Sequence, residues 1–103
     1  MNKISNKKND NLFKAILSLN DIFEVQKFFR DLCTIEEIKD MSGRFEIAKL
    51  VDAGMTYRDI AKKLEISTTT VGRVANCLRN GMGGYQIVLN KLNHHKNSSG
   101  KRR

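Results

Sequence analysis

Apolar residues recur every three or four positions along most of this chain, so every folded segment reads as helix. Leu12, Phe13, Ile16, Leu17 and Leu19 predict a short amphipathic helix from about Asn11, opened by Asn9 or Asp10. Ile22, Val25, Phe28, Phe29 and Leu32 predict a second, beginning near Asp21 with Glu24 three positions on. Thr34 then stands three residues before Glu37, a capping box that opens the longest helix. The expected inner face of that helix is Ile35, Ile38, Met41, Phe45, Ala48 and Leu50 or Val51. Gly54 is placed to end it with a left-handed backbone. Gly43, inside it, predicts either local weakness or close packing. The sequence contains no proline.

The segment from Thr56 to Arg79 has a more particular pattern. Thr56 caps a helix whose Asp59 helps the unpaired first amides and whose Ile60, Ala61 and Leu64 face inward. A turn at Glu65-Ile66-Ser67 follows, and Ser67 or Thr68 caps the next helix. On that helix Val71, Val74 and Leu78 share one face, leaving Thr69, Thr70 and Arg73 outward. Two short amphipathic helices joined by so few residues predict a helix-turn-helix, which presents its second helix to the DNA major groove. Ala61 is small where the two helices would cross. Glu65 occupies the turn position that needs a positive φ and is commonly glycine, a departure that costs about 1 kcal/mol. Asn80 to Gly84 is a flexible break, Tyr85, Val88, Leu89 and Leu92 form a last short helix, and the final HHKNSSGKRR has no folding pattern.

Length and charge set the outer limits. A chain of 103 residues holds one small domain, here placed at residues 11–92 with the helix-turn-helix at 56–79. Residues 1–10 read as a flexible basic arm and 93–103 as a flexible basic tail. The net charge is +8, of which the arm carries +2 and the tail +4. Residues 21–55 hold five basic and eight acidic groups, whereas residues 56–80 hold five basic against two acidic. Positive charge in the body therefore gathers on the helix-turn-helix, which favours a phosphate partner.

Several classes of function find no support. No apolar run approaches the roughly 20 residues of a membrane span, and the polar N-terminus has no signal-peptide pattern. Cys33 and Cys77 are isolated, which fits a reducing, cytoplasmic compartment better than a disulfide scaffold or a zinc site. His94 and His95 are adjacent in the polar tail and lack further ligands, so no metal is expected. No phosphate-binding glycine loop, Ser/His/Asp set or paired carboxylates point to catalysis. The expectation is therefore not an enzyme.

The motifs FFRDLCT before the long helix, GMTYRDIAKKL entering the helix-turn-helix, and STTTVGRV followed by NCL narrow the reading. Over roughly residues 12–92 the chain resembles the tryptophan-repressor superfamily, most nearly its branch of repressor-like uncharacterised bacterial proteins. The resemblance implies an all-α protein of about six short helices forming an intertwined homodimer. Independently, Phe13, Leu17, Leu19, Phe23, Phe28, Phe29 and Leu32 are more apolar surface than two short helices hide alone.

The resemblance also implies the site residues. Thr68, Thr69 and Thr70 open the recognition helix and would meet base edges, their methyls suited to thymine and their hydroxyls to several bases. Gly72 stands where the tryptophan repressor has threonine. Arg58, Lys62 and Lys63 would hold phosphates, or else form a solvated charged face. A candidate effector pocket comprises Thr34, Arg44, Arg73, Val74 and Cys77. In the tryptophan repressor the two arginines sandwich the indole. Val74 replaces a glycine that makes room for the ligand, and Cys77 replaces a serine that helps hold its amino group. Arg44 has an alternative partner in Asp40 or Glu46, and Arg73 in phosphate.

Together these features predict a sequence-specific, homodimeric transcription regulator of the repressor type, acting on double-stranded DNA without a cofactor. The alternatives are a repressor responding to tryptophan or another small corepressor, and a helix-turn-helix adaptor acting through protein partners.

Overall fold

The first helix opens one turn earlier than the apolar pattern predicts. The side chain of Asn6 accepts the Asn9 backbone N–H at 2.9 Å, and α1 runs Lys7–Leu17. Lys7 and Lys8 are good helix formers, so once a cap is available the helix takes in four residues expected in the arm. Leu19 falls outside it. In this computed structural model the backbone is described for residues 6–100 and the side chains for residues 6–93. Lys3 of the arm and Lys101, Arg102 and Arg103 of the tail lie outside the described residues, as do the side chains of His94, His95 and Lys96.

The remaining elements are α2 (Ile22–Leu32), α3 (Ile35–Asp52), α4 (Tyr57–Leu64), α5 (Thr68–Asn80) and α6 (Gly84–Gly100). Among the described residues there is no strand, and no helix is long and apolar enough to cross a membrane. The chain is an all-α protein. Asp21 caps α2 by accepting the Glu24 N–H, while the Glu24 carboxylate accepts the Asn20 N–H at 2.8 Å. Thr34 and Glu37 form the reciprocal box at the head of α3, with bonds of 2.8 and 3.0 Å. Gly54, at φ 95°, ends α3, and the N–H groups of Gly54 and Met55 return to the Val51 and Leu50 carbonyls. The final helix corrects the expectation of a short element with an unfolded tail. No proline or glycine interrupts residues 85–99, and extending a helix is far easier than starting one.

The chain divides into two compact units, residues 1–39 and 40–103. In the first, α1 and α2 contain no buried residue. Phe13, Ile22, Phe23 and Leu32 are exposed there, and the Phe28 and Phe29 rings meet edge to face with centroids 6.1 Å apart.

The second unit holds a core of Ile47, Ala48, Ile60, Val71 and Val74, with Leu50, Val51, Met55, Tyr57, Ala61, Leu64, Ile66 and Tyr85 packed around it. Ala75 and Leu89 are also buried. The inner face of α3 therefore differs from the predicted one. Ile47 is in the core although it was not on that face, and Ile35 is 65% exposed. At about 100° per residue, Ile47, Ala48 and Val51 lie roughly a quarter-turn from Ile38, Met41 and Phe45. The helix thus has two apolar stripes, and only its last turns serve this core. A side chain at Gly43 would meet nothing within 4 Å, so close packing within the chain does not explain that glycine.

Candidate nucleic-acid interface

The helix-turn-helix is built by local bonds. Thr56 accepts the Asp59 N–H at 3.1 Å, and Ser67 accepts the Thr70 N–H at 3.0 Å, so the caps of α4 and α5 fall on Thr56 and Ser67. Between them Glu65 adopts φ 60° and ψ 50°, the left-handed conformation the turn requires, and the Ile66 N–H bonds the Ala61 carbonyl. Ile60 and Val71, both fully buried, hold the two helices together. Burial of those two faces decides which residues of α4 and α5 point outward.

On α4, Arg58, Lys62 and Lys63 are all exposed. Helical spacing separates them into two groups. Arg58 and Lys62 are four apart and share a strip, whereas Lys63 stacks beside Asp59, which offsets part of its charge. On α5, Thr68, Thr69 and Arg73 are exposed, but Thr70 is only half-exposed. Its hydroxyl lies 3.0 Å from that of Ser67, tying it to the cap instead of leaving it free as expected.

Asn76 completes the exposed stripe with Thr69 and Arg73, at positions i, i+4 and i+7. Its Oδ1 accepts from Asn80 Nδ2 at 2.8 Å. Sequence reasoning passed over Asn76, although helical spacing alone identifies it. It also passed over Tyr57, whose hydroxyl accepts a 2.7 Å bond from Arg79 Nη1.

Of the four effector-pocket candidates in residues 40–103, Val74 and Cys77 have different surroundings. Val74 is 5% exposed and belongs to the core. Cys77 is exposed and lines an open apolar groove of about 630 Å³ with Phe45, Gly81, Met82, Gly84, Tyr85 and Val88. Neither Arg44 nor Arg73 lines that groove, and both are exposed. Glu46, one of the alternative partners for Arg44, pairs with Lys49 at 3.3 Å. Thr34 belongs to the first unit, where its hydroxyl serves the α3 cap. Gly81 borders the groove by necessity, because a Cβ there would collide with the Cys77 carbonyl oxygen. Among the described residues no cluster of three or more His, Cys, Asp or Glu side chains could hold a metal ion.

Comparison with known proteins is consistent across the chain. The family model for the Trp repressor protein matches residues 7–93. The uncharacterized protein YerC of Bacillus subtilis is 40% identical over 92 residues, covering 89% of this chain and 88% of that one. A Trp operon repressor homolog of Chlamydia trachomatis is 29% identical over 84 residues, covering 77% of this chain and 89% of its own length. The crystal structure of a TrpR-like protein from Eubacterium eligens superposes with a TM-score of 0.82 at 45% identity. That superposition covers 90% of this chain and 96% of the other.

Proposed function

Because this chain belongs to the Trp repressor protein family, of DNA-binding regulators, we propose that it is a sequence-specific repressor acting as a homodimer. The observation that carries this reading is the exposed stripe of Thr69, Arg73 and Asn76 on α5, together with the exposed strip of Arg58 and Lys62 on the adjoining α4. Thr68 and Thr69 meet base edges at the amino end of the recognition helix. Arg58 and Lys62 grip phosphates and set the register. Thr70 contributes through its methyl group, since its hydroxyl is bonded to Ser67. Arg73 adds charge facing the duplex, and Lys63, on the neighbouring strip of α4, adds to the positive field around it. The relatives named as Trp operon repressor homologs support the repressor sense of regulation.

The second copy supplies what α1 and α2 lack. Seven apolar side chains from Leu12 to Leu32 are between 36% and 84% exposed, a surface that a second copy would cover. A two-fold dimer also places two recognition helices one helical turn of DNA apart.

This regulator works without a small-molecule switch. Val74 in the core, and Arg44 and Arg73 off the groove that Cys77 lines, support that reading over a tryptophan-responsive one. Calorimetry with tryptophan and related indoles tests it, and binding heat with the folded dimer would reverse it.

The DNA reading is tested by selecting bound fragments from a random pool and then titrating the best duplex against salt. Affinity should fall steeply as salt rises and retain a sequence preference; a protein-binding adaptor would show neither. Arg58→Ala should weaken binding to every sequence, whereas Thr69→Ala should change the preference between them. Equal, small losses from both would rule out this docking.

A further inference from the structure

Tyr57 is the first residue of α4, placed between its cap and Arg58. Three contacts fix it. Its ring packs against the core of the second unit. Its Cε2 edge faces Gly72, where a Cβ would stand 4.0 Å away, an ordinary van der Waals contact. Its hydroxyl accepts from Arg79 Nη1 at 2.7 Å, and the same guanidinium lies over the ring with its carbon 5.9 Å from the centroid. Gly72 and Arg79 are seven residues apart on α5, which puts them on one side of the helix two turns from each other. The ring is held at its hydroxyl by Arg79 and along its body by the core.

We infer that Tyr57 is a positioning residue for DNA docking, held by Arg79 and packed on the core so that the start of α4 keeps one place relative to the recognition helix. Arg58 follows Tyr57 directly, so its backbone is carried with the ring. The inference rests on the proposed DNA reading. Arg79 suits the task because a guanidinium donates a directed bond and stacks at once, which an ammonium does not. Among the charged groups nearby, Asp52 lines the same open cavity as Arg79 but accepts from Gln86 Nε2 at 3.4 Å. The Tyr57 hydroxyl and ring are therefore what direct the guanidinium.

The test is a double-mutant cycle in the full chain with Tyr57→Phe, Arg79→Met and both together. Each is titrated with the duplex selected by the wild-type protein, across about 50 to 300 mM salt, with helicity and melting followed by circular dichroism. Each single substitution should weaken binding about fivefold, and the double should be no weaker than either single. The salt dependence should become shallower to the same extent in Tyr57→Phe and in Arg79→Met, because both act through the displaced Arg58. Unchanged affinity in Tyr57→Phe would overturn the inference. So would losses that multiply, together with a salt dependence shallower in Arg79→Met than in Tyr57→Phe, since Arg79 would then grip phosphate on its own account. A fall in helicity parallel to the loss of affinity would reduce Tyr57 to a structural residue. If the wild-type protein bound no duplex in a salt-dependent way, the DNA reading itself would fail.

Discussion

The α2 helix and the α4–α5 pair begin from similar local chemistry. Asp21, Thr56 and Ser67 each accept an N–H three residues on, and each precedes a strongly amphipathic helix. Their apolar faces end differently. Ile60 on α4 and Val71 on α5 are fully buried, whereas Ile22 and Phe23 on α2 are 65% and 68% exposed. The α4 and α5 faces cover one another across a turn of three residues and supply three of the five core residues, with Ile47 and Ala48 of α3 supplying the others. The α2 face meets no such complement within residues 1–39. Capping and amphipathicity decide that a helix forms; whether its face is covered depends on which surface can reach it.

Three substitutions probe this contrast. Ile60→Ala leaves a cavity where two helices touch and should destabilise the second unit by about 3 kcal/mol, read from urea unfolding followed by circular dichroism. A loss under about 1 kcal/mol would mean that α4 and α5 are not held by that core. Phe23→Ser should leave the α4–α5 core intact but weaken self-association by about 2 kcal/mol, roughly 30-fold in the dimerisation constant. Sedimentation equilibrium gives that constant, and no change would remove α2 from the interface. The smallest effect belongs to the turn. Glu65→Gly relieves a left-handed backbone and should stabilise the chain by about 1 kcal/mol, seen as a higher melting temperature. A lower melting temperature would show that the Glu65 side chain contributes more than its backbone strain costs.

The candidate site was partly legible before the fold was known. The caps at Asp21, Thr34, Thr56 and Ser67, the positive φ at Glu65 and the outward placing of Arg58, Thr69 and Arg73 all depend on residues three or four apart. Asn76 was equally legible, by spacing from Thr69. Tyr57 was not, because its partner Arg79 is 22 residues away and the bond exists only when two helices cross at one angle. Ile47 escaped for a related reason. The α3 helix carries two apolar stripes, and nothing in its own sequence says which one faces α4 and α5.

By itself, then, the sequence determined six helices, most of their ends, the helix-turn-helix and its charge, since these follow from bonds and spacings within one or two turns. Tertiary structure alone decided the inner stripe of α3, the separation of Arg44 and Arg73 from the groove at Cys77, and the bond of Tyr57 to Arg79. Those depend on the angle and depth at which helices pack. That geometry is set jointly by side-chain volumes on several elements, and no single segment encodes it.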